Sequence, residues 1–328
     1  MPQASPARYL YIAGRGHSGS TIFSILVGQS RTVASEGEII AGFRRGYQAK
    51  RCANREVFSE SAFWAEVKSA FERRANTDFT DGTGLLNRRA HYTQVLSNLL
   101  AAPRSTDVLE AKRLVEALYD SISEASNRPV VLDSSKELAT AVFLLRHVGP
   151  LKVIHFVRSP FGVVDSYLKR LKSVNRFDMF GKHFHVERHY FIPVVVSAIV
   201  WSLESFFCEL LRLVYPTRVI TLHYEDLCDQ PIAVLERLER FAGVSLAESK
   251  AAAAERRVMR PSHALSGNEL MREEDIVFSP ARGLARYLTP FDKAIVTLCT
   301  FPMAIAYGYF GRRARSSPPI APLISRST

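Results

Sequence analysis

The chain contains little cysteine, and the four cysteines it has are far apart. Cys52, Cys208, Cys228 and Cys299 form no Cys-x-x-Cys pair, and no group of His and Cys has zinc-ligand spacing. This pattern disfavours a structural zinc site or a disulfide framework and is typical of a reduced compartment. The first eight residues contain no apolar core that could serve as a secretory signal. We therefore expect a cytoplasmic protein.

Acidic residues are fewer than basic ones. Forty-three Lys and Arg against 32 Asp and Glu give a net charge of +11, which favours anionic partners such as nucleotides, acidic glycans or anionic lipids, or else only aids solubility. The basic residues are dispersed, and no repeat interleaves them with aromatic residues. This disfavours a nucleic-acid-binding module.

Long apolar runs are also scarce. Residues 294–311 form 18 positions without a charge, followed by Arg312 and Arg313, which is the short end of transmembrane length. Because Pro302 and two threonines interrupt this run, we predict a buried or interfacial helix and leave open a peripheral membrane contact through 294–315. The apolar run 191–201 is too short to span a membrane.

A glycine-rich segment near the start carries the first functional signal. It reads Tyr9-Leu-Tyr-Ile-Ala-Gly14-Arg-Gly-His17-Ser-Gly19-Ser20-Thr21, a short apolar strand, a turn, and a helix that opens on Ser and Thr. This is the layout of a phosphate-binding loop, with Ser20 where the Walker A pattern has lysine. Backbone N–H groups at a helix N-terminus bind phosphate without that lysine, but a triphosphate would be poorly neutralised. The loop thus predicts a less highly charged nucleotide.

Strand and helix patterns alternate along much of the chain. Apolar strands are predicted at 9–13, 130–133, 152–157 and 218–223, and helices at 20–29, 136–147, from Pro160, and at 231–241. This alternation predicts an α/β, three-layer, P-loop-type fold with a central parallel sheet. Ligands of such sheets bind beyond the carboxyl ends of the strands, which is where the Gly14 loop, segment 133–136 and Arg158 fall.

Two stretches do not follow the alternation. Residues 41–129 and 171–215 are predicted as helical insertions that form the acceptor site or a lid. The second stretch holds a basic, His-rich piece, which we interpret as a solvated loop rather than a metal site because no carboxylate or cysteine lies at ligand spacing. We predict one domain over residues 1–311 and a basic, disordered tail over 312–328.

A second anion-binding signal follows a later strand. The segment Ile154-His-Phe-Val-Arg158-Ser159-Pro160 ends a buried strand with an arginine and begins a helix with a proline. The guanidinium fork of Arg158 would lie beside a helix N-terminus and is suited to grip a phosphate. Its alternative role is a structural ion pair with a carboxylate.

Together these segments resemble the sulfotransferases that use 3′-phosphoadenosine-5′-phosphosulfate (PAPS), in their bacterial and tyrosylprotein-type branch. In that family the 5′-phosphosulfate loop lacks the Walker lysine. An arginine at a strand end and a serine eight residues later bind the 3′-phosphate, as Arg158 and Ser166 would here. Other matching segments are Ser35-Glu-Gly-Glu38, Asp133-Ser-Ser-Lys136, Tyr224-Glu-Asp-Leu227 and His263-Ala-Leu-Ser-Gly267-Asn268 with Arg272.

The resemblance implies transfer of a sulfuryl group from PAPS to an acceptor hydroxyl, leaving adenosine 3′,5′-bisphosphate and requiring no metal. Glu38 would be the base, and His17 and Lys136 would stabilise developing charge. The donor would be bound by Arg15, Gly16, His17, Ser18, Gly19, Ser20, Thr21, Arg158, Ser166, Ser266, Gly267, Asn268 and Arg272.

Several roles stay open at this point. His17 replaces the usual Lys or Arg of the family and would act as an acid or only as a hydrogen-bond donor. Glu38 would otherwise be an exposed loop acid, with Glu36 the next candidate for the base. Lys136 would otherwise be a solvated residue at a helix start, and Ser134 and Ser135 ordinary N-caps.

The acceptor is not readable beyond a small-molecule, carbohydrate or lipid hydroxyl, and the oligomeric state is not readable at all. Two other functions remain open. One is a P-loop kinase or NTPase with an atypical Walker A loop, whose lysine would be supplied from elsewhere, for example by Lys136. The other is a membrane-associated binding protein with a degenerate nucleotide site.

Overall fold

The computed structural model describes residues 8–44, 52–82, 106–175, 177–179, 182–184, 190–260, 263–264, 275–278 and 285–310. Its strands are β1 (Tyr9–Ala13), β2 (Val33–Ser35), β3 (Val130–Lys136), β4 (Leu151–Val157), β5 (Phe177–Met179), β6 (Lys182–Phe184), β7 (Val219–His223), β8 (Val258–Met259) and β9 (Ile276–Val277). Five of them form a parallel sheet in the order β2-β3-β1-β4-β7.

Helices connect and cover these strands. They are α1 (Ser20–Val27), α2 (Ile39–Arg44), α3 (Ala62–Ala75), α4 (Thr106–Ser126), α5 (Leu138–His147), α6 (Pro160–Val174), α7 (Phe191–Val214), α8 (Tyr224–Asp229), α9 (Pro231–Ala242), α10 (Ala247–Ala254) and α11 (Pro290–Ala306). A parallel sheet with crossover helices buries both of its faces. The predicted three-layer α/β fold is thereby confirmed.

The central strand β1 divides its side chains between two hydrophobic cores. Tyr9, Tyr11 and Ala13 face a core built with α3, α4 and α5. Leu10 and Ile12 face the opposite core, built with α1, α9 and α10. This is the two-residue period of a strand that is buried on both sides.

Smaller cores join three helices beyond the carboxyl end of β4. Val163 of α6, Trp201 of α7 and Ala304 of α11 belong to one of these cores. Val164, Ala198 and Val296 from the same three helices belong to another. The three helices therefore form a layer beside the edge of the sheet where the anion-binding segments end.

The structure corrects several boundaries predicted from the sequence. Strand β3 continues to Lys136 and α5 begins at Leu138, where a helix from 136 was predicted. Helix α1 ends at Val27 rather than 29. The three-residue strand β2 was not predicted, and the stretch 171–215, predicted as a helical insertion, contains the antiparallel pair β5–β6.

Helix α7 is longer than the apolar run indicated. It extends past Trp201 to Val214 and, within the described ranges, is the one helix long and apolar enough to cross a membrane. In its most apolar window 44% of the residues are buried. The second apolar segment, predicted at 294–311, is helical over Pro290–Ala306 as α11, with Pro302 inside it.

Candidate active site

The turn between β1 and α1 has backbone geometry that only particular residues tolerate. Gly14 has φ 136° and Gly19 has φ 85°, in the range that favours glycine. A Cβ at Gly14 would lie 2.9 Å from the Phe156 carbonyl oxygen, and one at Gly19 would overlap the ring of Tyr224. His17, which is not a glycine, also has a positive φ of 70°. Such strain in a non-glycine residue is typical of functional turns.

This turn leaves the N-terminus of α1 open. Among the described residues no side chain caps the helix, and its first turn contains no acidic residue. The Ser18 hydroxyl is buried and has no hydrogen-bond partner among the described residues, and none of their atoms lies within 4 Å of a Cβ built at Gly16. Ser20 and Thr21 open the helix. Unsatisfied N–H groups and the helix dipole make this an anion-binding turn.

Arg158 brings the second predicted anion-binding segment to the same turn. It follows β4 directly, and its guanidinium donates a hydrogen bond of 3.1 Å to the His17 carbonyl oxygen. Ser166, in α6, lies with its hydroxyl 3.2 Å from Nδ1 of His17. Two segments more than a hundred residues apart in sequence thus meet at one carboxyl edge of the sheet.

The Tyr224-Glu225 pair, directly after β7, contacts both the Gly14–Gly19 turn and the segment at Arg158. The Arg158 guanidinium lies over the Tyr224 ring at 4.6 Å, and the same ring fills the space beside Gly19. Glu225 accepts a hydrogen bond of 2.8 Å from the Ser159 N–H, at the start of α6. The Tyr224-Glu225 pair therefore positions both anion-binding elements.

Helix α7 forms one wall of the site. Trp201 donates a hydrogen bond from its indole N–H to the Arg158 carbonyl oxygen at 3.0 Å. Glu204 is buried and pairs with Arg15 at 3.7 Å. Arg15 also lies 6.0 Å from the centre of the Tyr167 ring. Neither Glu204 nor Trp201 was assigned from sequence, because an apolar helix gives no signal of which turn reaches a distant loop.

The candidate base Glu38 is buried and paired. It forms a short ion pair with Lys136, the last residue of β3. Lys136 has φ 73°, and its carbonyl oxygen accepts a hydrogen bond of 3.2 Å from the Gly14 N–H. The interpretations of Glu38 as an exposed acid and of Lys136 as a solvated helix-start residue are therefore wrong. Lys136 joins the candidate base to the first glycine of the anion-binding turn.

The buried carboxylate of Asp133 holds the two residues that directly follow Glu38. The two oxygens of Asp133 accept hydrogen bonds from the N–H groups of Ile39 and Ile40, from the Tyr119 hydroxyl, and from both the N–H and hydroxyl of Ser135. Burial raises the pKa of the Asp133 carboxyl, and these donors oppose the rise. Asp133 thus caps α2, the short helix that begins directly after Glu38.

Ser134 and Ser135 do not cap the helix that follows them. Both lie in β3; the Ser135 hydroxyl accepts a hydrogen bond from the Ala41 N–H at 3.0 Å, and the Ser134 N–H donates to the Gly37 carbonyl oxygen at 2.9 Å. Their interpretation as N-caps of the following helix is therefore wrong. The motif 133–136 orients the loop that carries Glu38.

Glu36, the other candidate base, is occupied elsewhere. Its carboxylate is buried and accepts a hydrogen bond of 2.9 Å from the His263 N–H. Trp64 donates to the His263 carbonyl oxygen at 2.9 Å, and the Phe63 ring stacks on the imidazole at 4.3 Å. Glu36 therefore holds the backbone of His263, and the His263 ring packs against Phe63.

Four basic side chains surround His17. Burial, together with the smaller effects of the charges on Arg170, Arg15, Lys136 and Arg158, lowers the pKa of the His17 imidazole to about 4. The imidazole is thus neutral near pH 7 and suited to donate a hydrogen bond rather than a proton. The cluster of positive charge fits an anionic ligand.

The structure brings together the predicted residues of the first loop, the pair Glu38–Lys136, and Arg158 with Ser166. The predicted residues Ser266, Gly267, Asn268 and Arg272 lie outside the described residues. Within the described ranges no group of His, Cys, Asp and Glu could hold a metal ion. The described part of the site contains anion-binding groups and the Glu38–Lys136 pair.

Gly19→Ala tests the turn against a matched substitution at Gly16. The new methyl at position 19 overlaps the Tyr224 ring and adds strain at positive φ, so we expect a loss of about 1–3 kcal/mol in the free energy of unfolding. Gly16→Ala, whose methyl meets no described atom within 4 Å, should change the free energy of unfolding by less than about 0.5 kcal/mol. Urea unfolding measures both. Equal effects would contradict the packing described.

His17 also predicts a pH dependence of stability. Because its folded pKa of about 4 lies below the ordinary 6.5, the unfolded chain binds more protons between these values. The stabilisation is complete above about pH 6.5 and is lost as the pH falls towards about 4. The free energy of unfolding of wild type, measured in urea, should therefore fall between about pH 7 and 5 by about 1–3 kcal/mol more than that of His17→Gln. Parallel losses in both proteins would contradict this.

The chain matches a known family in sequence. The sequence model of the sulfotransferase family matches residues 10–248. A search of curated proteins gave no significant match. Among solved structures, the chain is similar to the sulfotransferase domain of the curacin biosynthetic pathway, with 15% identity, 91% of this chain and 98% of that chain covered, and a TM-score of 0.49.

Two further structures have comparable similarity. The sulfotransferase domain of the Synechococcus PCC 7002 olefin synthase has 16% identity, coverage of 97% of this chain and 98% of that one, and a TM-score of 0.46. Sulfotransferase STF1 from Mycobacterium tuberculosis has 15% identity, coverage of 82% and 76%, and a TM-score of 0.45. Since the family model spans well over half of the chain, this protein belongs to the sulfotransferase family.

Proposed function

We propose that the protein transfers a sulfuryl group from PAPS to a hydroxyl of a small-molecule, carbohydrate or lipid acceptor. Membership in the sulfotransferase family supports the reaction type. The observation that carries the choice of donor is the hydrogen bond from Arg158 to the His17 carbonyl oxygen. It joins two anion-binding elements at one place, as a nucleotide with phosphates at both its 3′ and 5′ positions requires.

The first element fits the 5′ end of such a donor. The open N-terminus of α1 and the Ser18 hydroxyl, which has no partner among the described residues, offer donors to a phosphate. Arg15 and the neutral His17 imidazole lie at the same turn. If the Ser166 hydroxyl donates to Nδ1 of His17, the Nε2–H remains to hydrogen-bond a sulfonyl or bridging oxygen.

The second element fits the 3′-phosphate. The Arg158 side chain is held over Tyr224 and against the turn, so its remaining N–H groups are oriented before a ligand arrives. Ser166 lies in the second turn of α6, the helix that begins two residues after Arg158. This arrangement selects a nucleotide with a 3′-phosphate over one without it.

The acceptor side begins at Glu38. Its carboxylate would take the proton from the acceptor hydroxyl while the acceptor oxygen bonds to sulfur and the bond from sulfur to the bridging phosphate oxygen breaks. Lys136 and His17 would stabilise the negative charge that collects on that oxygen, which is often the larger catalytic effect. Bound PAPS supplies the activated sulfuryl group. Glu38, Lys136 and His17 supply the proton acceptor and the electrostatic stabilisation.

The kinase alternative has less support. It needs a lysine to neutralise the β- and γ-phosphates, and Lys136 was the candidate. In the structure Lys136 is paired with Glu38, and its backbone is fixed at the end of β3 by the bond to Gly14. Lys136 therefore lies beside the candidate base, where sulfuryl transfer would use it, while the turn itself has Ser20 at the position of the Walker lysine.

Thermal unfolding with nucleotides tests the donor directly. Adenosine 3′,5′-bisphosphate without metal should stabilise the protein by about 2.7 kcal/mol at a hundred times its dissociation constant. Stabilisation by Mg·ATP, with none by the bisphosphate, would instead support the kinase.

Glu38→Gln should separate binding from catalysis. The amide cannot accept the acceptor proton, so turnover should fall at least about a hundredfold while bisphosphate binding survives. Mass spectrometry of sulfated product from an acceptor screen measures turnover, and the thermal shift measures binding. Glu60→Gln, in an exposed turn, is the control that should keep activity. If Glu36→Gln loses turnover and Glu38→Gln keeps it, Glu36 is the base.

Arg158→Lys tests the 3′-phosphate site. Loss of the fork should weaken adenosine 3′,5′-bisphosphate binding about 10–100-fold, the value of a hydrogen bond to a charged group. Binding of adenosine 5′-monophosphate should change by less than about threefold, since that ligand lacks the 3′-phosphate. Calorimetry of both ligands gives the ratio. Arg146→Lys, on the exposed end of α5, should alter neither. An equal loss for both nucleotides would place Arg158 away from the 3′-phosphate.

A further inference from the structure

The outer face of helices α7 and α11 is apolar and exposed. The two helices run side by side in the same direction. Near their starts the ring centres of Phe191 and Phe291 lie 6.2 Å apart, and further along both helices the Ser202 hydroxyl donates a hydrogen bond of 2.8 Å to the Cys299 carbonyl oxygen. We call the exposed surface of this pair the α7–α11 face. It consists of Phe191, Val196, Ile199, Leu203, Phe206, Phe207, Leu210, Leu213 and Val214 from α7, and of Phe291, Leu298, Phe301 and Ile305 from α11.

The α7–α11 face exposes almost no negative charge. The acidic residues of the two helices are Glu204, Glu209 and Asp292. Glu204 and Asp292 are buried. Glu209 accepts hydrogen bonds from Arg212 and Thr221 at 2.5 and 2.7 Å. A cluster of thirteen large, exposed apolar side chains on a folded chain marks a site of association.

Basic residues lie at both ends of the face. At the end where both helices begin, Lys172 lies near the rings of Tyr190 and Tyr287, and Lys293 is exposed on α11. At the other end Arg212 is exposed. Apolar side chains bordered by tyrosines and basic residues are the pattern of helices that lie in a membrane interface.

We propose that the α7–α11 face rests on an anionic lipid bilayer. Neither helix crosses it, because the inner face of α7 is the wall of the active site: Trp201 holds the Arg158 carbonyl and Glu204 pairs with Arg15. Anionic headgroups neutralise the basic ends. Pairing of two copies through this face would bring like charges together in either direction, since both ends are basic.

The location has a consequence for the acceptor, which rests on the proposed function. One helix diameter, about 10 Å, separates the α7–α11 face from the residues that α7 holds in the site. The acceptor class this favours is an amphipathic lipid whose hydroxyl stays at the bilayer surface while its chains remain among the lipids.

Vesicle co-sedimentation of the full chain tests the face. Wild type should bind vesicles of phosphatidylcholine with phosphatidylglycerol, bind pure phosphatidylcholine vesicles more weakly, and dissociate at high salt. The double variant Leu203→Glu, Leu298→Glu puts charges on the two helices and should lower partitioning at least about tenfold. Leu109→Glu is the matched control: Leu109 on α4 is 50% exposed and Leu203 is 52% exposed, and its variant should bind as wild type.

Two further measurements separate the possible failures. The thermal shift with adenosine 3′,5′-bisphosphate should be the same in the double variant as in wild type, which shows that the variant is folded. Absence of that shift in both proteins would refute the proposed donor but not the membrane contact. The proposal is overturned if wild type binds no anionic vesicles, or if light scattering shows a dimer that the double variant dissociates while vesicle binding is absent.

Discussion

The geometry of the site depends on one buried carboxylate, Asp133. It lies in β3, the strand next to β1 in the sheet, and its oxygens accept hydrogen bonds from the first two N–H groups of α2. A buried carboxylate is tolerable only when such donors surround it. Its hydrogen bonds fix the direction in which the chain leaves β2 and so determine where Glu38 meets Lys136.

The second half of the site has a comparable support, but an aromatic one. Tyr224 lies against Gly19 and beneath Arg158, while Glu225 holds the start of α6. The first residues after β7 thus position loops that follow β1 and β4. Three strands that are distant in sequence contribute to one cluster of basic side chains around His17, because parallel strands bring their carboxyl ends to the same edge of the sheet.

Much of this could be predicted from the sequence, and the rest depended on contacts that sequence does not show. The turn at Gly14 and the end of β4 at Arg158 follow from local patterns, an apolar run and then a turn or a proline. These patterns also carried the family resemblance and the parallel fold, which are confirmed. The extension of β3 to Lys136 could not be predicted, because polar residues stay in that strand only through partners on α2. The three-residue β2 carries too little signal, and the apolar pattern of α7 does not distinguish its buried from its exposed face.

The division of β1 between two cores has a consequence for how this protein can change over evolution. Tyr11 faces one core and Ile12 the other, so substitutions of similar size can be accommodated at each position separately. Insertion or deletion of one residue would exchange the two sets and rotate the following glycine turn to the wrong side of the sheet. We therefore expect the number of residues in β1 to vary less among related proteins than the identities of those residues.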